Sequence, residues 1–173
     1  MATSTASGTW LPISEIGPTQ PIASTSTTKN HEIGHTIKCR DMGTTAYGEA
    51  EFVYLTGVAS VAVGDYCIRD GDLVARGAVR AVGSGCVAMS ACVASNYGWF
   101  QVTGKAVING TAGDADDAAM AIGAAGVIVT QAGSTQLGDS IFGLRSAAAV
   151  TDDVKILCVI NHPKTGDTDN SGA

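Results

Sequence analysis

Residues 154–160 read VKILCVI, and this stretch indicates the fold class most directly. The apolar residues at 154, 156, 158 and 160 alternate with the residues between them, so in an extended chain they lie on one face. A repeat of two residues is typical of a strand that buries one side. The stretch therefore predicts a β-strand with one face packed on a hydrophobic core.

Further strands are predicted upstream, where short apolar stretches alternate with turn residues. Asp70-Gly71-Asp72 fits a tight hairpin turn, and Asn109-Gly110 is the strongest two-residue hairpin signal that a sequence offers. The 22 glycines suit turns, bulges and close strand packing better than helices. The predicted strands are 33–40, 51–56, 65–69, 73–76, 86–90, 99–103, 106–109, 127–130, 142–148 and 154–161.

Many short strands between frequent turns predict an all-β protein. The expected fold is a β-barrel or β-sandwich (jelly-roll-like) of short antiparallel strands, preceded by an extended N-terminal arm. The alanine-rich stretch 116–125 is the one place where a short helix competes with a loop, and the sequence leaves both open.

Residues 1–30 form the predicted arm, because their composition differs from that of the predicted β-domain, 31–162, and of the polar tail, 163–173. The arm holds seven Thr, five Ser, three of the four Pro and only two charged residues, so it cannot bury enough apolar surface to fold alone. Its prolines favour an extended path. A disordered tail is the alternative interpretation. The predicted interface residues are the arm's apolar anchors and two adjacent aromatic residues: Trp10, Leu11, Ile13, Ile16, Ile22, Trp99 and Phe100.

Composition argues against several classes of function. The net charge is −6 and the ten Lys and Arg are scattered singly, whereas nucleic-acid binding needs clustered positive charge. No apolar run reaches the roughly 20 residues of a membrane-spanning helix, and the N-terminus lacks the basic start of a signal peptide. We therefore expect no nucleic acid and no membrane among the partners, and assembly in a host cytoplasm. Charged residues are only 15%, against roughly 25% in typical soluble domains, so part of the surface is expected to be covered by neighbours.

The sequence contains no convincing active site, and the expected protein is not an enzyme and has no cofactor. Residues 31–35, HEIGH, match the zinc-protease pattern H-E-x-x-H, which requires a helix. Gly34 is a poor helix residue and the following residues alternate like a strand, where positions four apart lie roughly 13 Å apart. We therefore interpret the match as accidental. The five cysteines sit among apolar neighbours and are interpreted as small buried hydrophobic residues, with a metal or redox site as the alternative.

Two blocks of sequence carry a family resemblance. Residues 48–59 read GEAEFVYLTGVA and are followed by VGDY at 63–66, and residues 96–106 read NYGWFQVTGKA. This arrangement resembles that of small head proteins of tailed bacteriophages, with Gly34 and Asp41 matching a Gly and an Asp that precede the first block. The resemblance covers roughly residues 33–110.

The resemblance implies a decoration (cement) or minor capsid protein with a β-barrel-like fold, and it implies no catalytic residues. It implies a homotrimer on the outer face of the phage head, bound to the major capsid protein, so that the protein is part of the virion. Two alternatives remain at this point. One is a structural component of the tail, the neck or a fibre base, and the other is a carbohydrate- or host-binding β-domain that uses exposed Trp and Tyr.

Overall fold

The computed structural model describes residues 10–13, 19–43, 47–78, 81–111, 116–131, 140–148 and 155–166, and within them it is all-β. No α-helix occurs in this part of the chain. The strands are β1 (Trp10–Pro12), β2 (Thr25–Ser26), β3 (Thr36–Asp41), β4 (Glu49–Thr56), β5 (Tyr66–Asp70), β6 (Leu73–Arg76), β7 (Gly83–Ala88), β8 (Tyr97–Asn109), β9 (Ala119–Ala124), β10 (Val127–Thr130), β11 (Ser140–Ser146) and β12 (Lys155–Gly166).

The predicted all-β class is confirmed, and every predicted strand overlaps an observed one. The main differences concern length and the alanine-rich stretch. The segments predicted at 99–103 and 106–109 are one strand of 13 residues, β8, and β12 is 12 residues long. The alanine-rich stretch contains β9 rather than a helix or a loop, because Met120, Ala121 and Ile122 are buried against the rest of the sheet.

The two predicted hairpins had different outcomes. Asp70 pairs with Leu73 across a turn in which Gly71 has a φ of +58°, so the hairpin between β5 and β6 is confirmed. The hairpin at Asn109-Gly110 was a wrong prediction. β8 pairs along this stretch with β12, and Gly110 instead forms an isolated parallel bridge to Ile128.

All described strands belong to one sheet, in the order β1-β3-β4-β6-β5-β7-β8-β12-β11-β9-β10, and β2 pairs with β8. The pairings are antiparallel except the short contact between β4 and β6, where Thr56 pairs with Leu73. Because β4 also pairs with β8, the strands β4, β6, β5, β7 and β8 form a closed circuit, so this part of the sheet is barrel-like.

β8 bends in its middle at Gly104, whose φ of +92° is in the left-handed region that favours glycine. A Cβ at this position would lie 2.5 Å from the carbonyl oxygen of Glu49. The buried amide of Gln101 donates hydrogen bonds to the carbonyl oxygens of Thr103 (2.9 Å) and Lys105 (2.8 Å), which satisfies backbone groups on both sides of the bend. The same strand pairs with β4 over its first half and with β12 over its second.

The hydrophobic core consists of three clusters, and β8 contributes to each of them. Trp99 belongs to a cluster with residues of β3 and β4. Phe100 and Val102 belong to a second cluster inside the barrel-like circuit. Ala106 and Ile108 belong to the largest cluster, which lies between the ends of β5 and β7 and the strands β9 to β12. A single strand therefore connects the three packed regions.

The last strand confirms the alternation from which the fold class was inferred. Ile156, Cys158 and Ile160 are buried while Val159 is 46% exposed; residue 154 lies outside the described residues. The strand continues to Gly166, because Lys164 pairs with Ser84 of β7 and Thr165 is buried. The predicted end of the β-domain at residue 162 is therefore four residues too early, and the described part of the predicted tail is strand.

We expect Ile156→Ala to lower the free energy of unfolding by about 2–5 kcal/mol, because it leaves a cavity in the largest cluster. The matched control is Val159→Ala on the same strand, whose exposed side chain predicts a change within about 0.5 kcal/mol. Urea denaturation followed by tryptophan fluorescence measures both variants. Similar losses for the two would contradict the assigned faces of β12.

Candidate interaction surface

Three of the seven predicted interface residues lie in the core. Trp99 and Phe100 are fully buried, on opposite faces of β8, and Ile22 is only 4% exposed. The prediction that these three residues contact a partner is corrected by their burial. A buried side chain cannot contact another molecule unless the protein unfolds. Large aromatic residues are enriched in cores as well as interfaces, so residue type alone did not separate the two.

The other predicted interface residues lie near the N-terminal edge of the sheet. Trp10 is half-buried and packs edge-on against Phe52, with ring centroids 4.9 Å apart. Leu11 and Ile13 are 49% and 47% exposed. Ile16 lies outside the described residues. β1 is terminal in the sheet order, and within the described residues no strand pairs with its outer edge. Leu11 lies in β1 and Ile13 directly follows it.

The described part of the predicted arm lies on its own domain rather than extending away from it. We call residues 19–26 the strap. Its β2 strand pairs with the start of β8, Ile22 fills the cluster around Trp99, and the carbonyl oxygen of Gln20 accepts a hydrogen bond from Trp99 Nε1 at 3.0 Å. The arm predicted as 1–30 therefore includes a segment that completes the core.

The side chain of Gln20 is the polar anchor of the strap, and it is 3% exposed. Its Oε1 accepts hydrogen bonds from the Tyr54 hydroxyl (2.7 Å) and from Asn30 Nδ2 (3.1 Å). Its Nε2 donates to the carbonyl oxygens of Ser24 (2.8 Å) and Tyr97 (3.0 Å). All four hydrogen-bonding positions of this amide are used, as a buried amide requires.

Next to the strap lies a pair of histidines, His31 and His35, with parallel rings whose centroids are 5.5 Å apart. The His31 ring also contacts Tyr54 and Trp99, and its Nε2 lies 3.1 Å from Thr19 Oγ1. The sequence-based expectation that these two rings are far apart was wrong. A turn at residues 33–34 brings His35 back beside His31, and Gly34 has a φ of +84° there.

This pair does not reproduce the helical H-E-x-x-H arrangement. A metal ion binds an imidazole nitrogen in the plane of the ring, and two rings at an interplanar angle of 3° do not aim at a common point. Among the described residues, no group of three or more His, Cys, Asp or Glu is placed to hold a metal ion. Burial, followed by repulsion from His35, lowers the pKa of His31 below its ordinary value of 6.5.

A second polar site lies at the opposite half of β8 and centres on Asp65, which is 1% exposed. Its Oδ1 accepts a hydrogen bond from Asn109 Nδ2 at 2.7 Å, and its Oδ2 accepts one from the backbone N–H of Ala62 at 2.9 Å. Arg76 Nε lies 2.7 Å from Oδ2 and forms an ion pair, although its N–H direction does not meet hydrogen-bond geometry. Lys155 Nζ donates to Asn109 Oδ1.

The five cysteines are buried thiols outside any disulfide, which confirms their interpretation as core residues. Burial raises the pKa of the Cys39 and Cys92 thiols to about 11 and that of Cys86 to about 12. Burial also raises the pKa of Cys67 well above its ordinary value. Thiols with raised pKa values are poor nucleophiles and poor metal ligands at neutral pH.

Exposed apolar side chains are spread over several strands and loops. A groove of about 350 Å³ borders β11 and β12, and the exposed Phe142 lies beside a second groove of about 270 Å³ on the other side of β11. The large apolar residues with high exposure are Leu11, Ile13, Met42, Val63, Leu73, Val82, Val93, Phe142 and Val159. No Trp or Tyr is among them, and Trp10, Tyr47 and Tyr97 are partly exposed.

Residues that carry the family resemblance have structural roles. Gly34, Gly48 and Gly104 have positive φ values. The carboxylate of Asp41 accepts hydrogen bonds from the backbone N–H groups of Gly43 and Tyr47, at 2.9 and 3.0 Å. These four residues therefore serve the backbone geometry. Sequence reasoning missed Gln20, which belongs to no recognisable motif, and assigned Asn109 to a hairpin turn rather than to a polar site.

We expect Gln20→Ala to lower the free energy of unfolding by about 1–3 kcal/mol, because it leaves the buried Tyr54 hydroxyl without its acceptor. Thr27→Ala, which changes an exposed side chain next to the strap, is the control and should stay within about 0.5 kcal/mol. Urea denaturation measures the loss, and limited proteolysis should show faster cleavage near the strap only in Gln20→Ala. Equal protection in both variants would argue against the anchoring role.

We expect the free energy of unfolding to fall as the pH is lowered through 6.5, the ordinary pKa of His31. His31 of the unfolded chain takes up a proton near pH 6.5, whereas His31 of the folded chain does so only at its lowered pKa. The stabilisation is therefore complete above pH 6.5 and is lost as the pH falls from 6.5 to the lowered pKa. The measurement compares denaturation curves of the unaltered protein and of His31→Gln across this range. His162→Gln is the control, and a pH dependence that persists in His31→Gln but vanishes in His162→Gln would contradict the assignment.

Comparison of the chain with protein-family models, with curated proteins and with solved structures gave no match.

Proposed function

We propose that this protein is a decoration (cement) protein of a tailed-bacteriophage head. It binds the outer face of the shell, bridges major capsid protein subunits and stabilises the shell against internal pressure. In this proposal it acts as a homotrimer and without catalysis or a cofactor. Several weak contacts made at once by one trimer would reinforce one another through multivalency.

The observation that carries the proposal is the terminal strand β1. Leu11 in β1 and Ile13 directly after it are about half exposed, beside a sheet edge with which no described strand pairs, on a chain with few charged residues. Exposed apolar side chains and an unpaired strand edge both favour association with another protein chain. The sequence resemblance over residues 33–110 supplies the identity of the proposed partner.

The packing of the strap changes how the arm should be tested. Deletion of residues 1–30 would remove Ile22 and Gln20 from the core, so a binding defect in that truncated protein would not separate interface from folding. Substitution of exposed residues on β1 leaves the core intact. This makes point substitutions the better test of the proposed interface.

The first measurement is size-exclusion chromatography with light scattering, on the protein alone and mixed with undecorated, expanded heads of the same phage. A closed trimer that co-elutes with heads is the expected result. If the protein does not bind heads but binds purified tails or necks, the tail-component alternative replaces the proposal. A monomer that binds neither particle would overturn both.

We expect the double substitution Leu11→Ser and Ile13→Ser to weaken binding to heads at least tenfold without changing the unfolding midpoint, because both side chains are about half exposed. Leu73→Ser is the matched control, since Leu73 is 50% exposed and lies in the β5–β6 hairpin. Co-sedimentation with heads measures the binding. Normal binding by the double variant, or an equal loss in Leu73→Ser, would show that β1 is not the interface.

A further inference from the structure

The polar site around the buried Asp65 places an amine, an amide and a carboxylate in contact. Asn109 is the last residue of β8 and Lys155 the first residue of β12, and the two are direct partners in the antiparallel register. Side chains at paired positions of neighbouring strands lie on the same face of the sheet. Lys155 Nζ donates a hydrogen bond to Asn109 Oδ1.

The orientation of the Asn109 amide follows from its partners. The ammonium group of Lys155 can only donate, so it must contact Oδ1, and the Asp65 carboxylate accepts, so it must contact Nδ2. The amide carbon Cγ therefore lies between an amine on one side and a carboxylate on the other.

The surroundings hold these groups in place. Lys155 Nζ and Asn109 Nδ2 both donate to the carbonyl oxygen of Val63, each at 3.1 Å. Gly64 and Gly126 pack against the site so closely that a Cβ on either would lie under 3 Å from Lys155 Nζ or Asp65 Cγ, respectively. A site with this little room positions the reacting atoms without a large loss of entropy.

We propose that Lys155 and Asn109 form an intramolecular isopeptide bond, with Asp65 as the catalytic acid and base. The neutral amine attacks Asn109 Cγ and forms the new C–N bond. Asp65 accepts one proton from Nζ and transfers it to Nδ2, the bond between Cγ and Nδ2 breaks, and ammonia leaves. The products are a secondary amide and one molecule of ammonia, so no oxidant, metal or co-substrate is required.

The electrostatics favour the first step. Burial lowers the pKa of Lys155, which increases the fraction of the neutral, nucleophilic amine, although the nearby Asp65 carboxylate opposes this shift. Asp65 already contacts the leaving nitrogen, as a group that protonates it must. The inference rests on these contacts alone and is independent of the proposed role on a phage head.

The bond would join β8 to β12 across a sequence separation of 46 residues. A covalent link that closes such a loop reduces the conformational entropy of the unfolded chain. It would also connect the strand that contributes to all three hydrophobic clusters to the last described strand.

The test is mass spectrometry of the purified, folded full chain, incubated until its mass no longer changes. We expect an intact mass lower than that of the sequence by one ammonia. After trypsin digestion we expect residues 106–145 joined to residues 146–164, because trypsin does not cleave after an acylated lysine. An unchanged intact mass would overturn the proposal.

Loss of ammonia alone is not sufficient, because an Asn-Gly sequence such as Asn109-Gly110 also loses ammonia when it forms a succinimide. Lys155→Arg separates the two reactions, since it retains the positive charge but cannot form the bond. We expect this variant to keep the full sequence mass and to have a lower thermal midpoint. If Lys155→Arg still loses ammonia, and the digest of the unaltered protein contains no joined peptide, the succinimide explanation replaces the isopeptide bond.

Asp65→Asn tests the catalytic role separately. We expect the bond to form more slowly by ~10²-fold or more, since general acid and base catalysis is removed. Circular dichroism checks that the variant is folded, and Lys164→Arg, an exposed lysine on the same strand, is the control that should cross-link at the normal rate. Cross-linking of folded Asp65→Asn at the normal rate would exclude Asp65 as the catalyst.

Discussion

The bend of β8 at Gly104 is the constraint on which the rest of the structure depends. The first half of β8 pairs with β4 and the second half pairs with β12, so the same strand supplies side chains to three clusters. Gln101 makes the bend possible by satisfying backbone carbonyl groups on both sides of it.

The two polar sites stabilise the two halves of this strand in different ways. At the start of β8, Gln20 attaches the strap through neutral hydrogen bonds to Tyr54 and Tyr97. At the end of β8, Asp65 and Lys155 surround Asn109 with opposite charges. Buried polar groups are costly when they lack partners, so both sites restrict the chain to one arrangement of strands. A covalent link at the second site would suit a protein that has to resist mechanical load.

The N-terminal segment has two roles that the sequence did not separate. Residues 19–26 complete the core, whereas Leu11 and Ile13 are about half exposed beside an edge with which no described strand pairs. Both parts have the same Thr- and Ser-rich composition with isolated apolar residues. Ile22 and Ile13 look alike in sequence, and only the position of the Trp99 cluster decides that Ile22 is buried. The proposed interface is therefore smaller than the arm, and it consists of β1 rather than of all the apolar anchors.

The sequence by itself determined the all-β class, the positions of most strands, the hairpin at Gly71 and the buried face of β12. These features depend on residues close together in the chain: a period of two, turn residues and glycine. Only the tertiary structure decided that Asn109-Gly110 is not a hairpin, that the alanine-rich stretch is a strand and that His31 lies beside His35. It also brought Asp65, Asn109 and Lys155 together. Residues separated by 44 and 46 positions meet because strand pairing across the sheet, which no local pattern encodes, places them side by side.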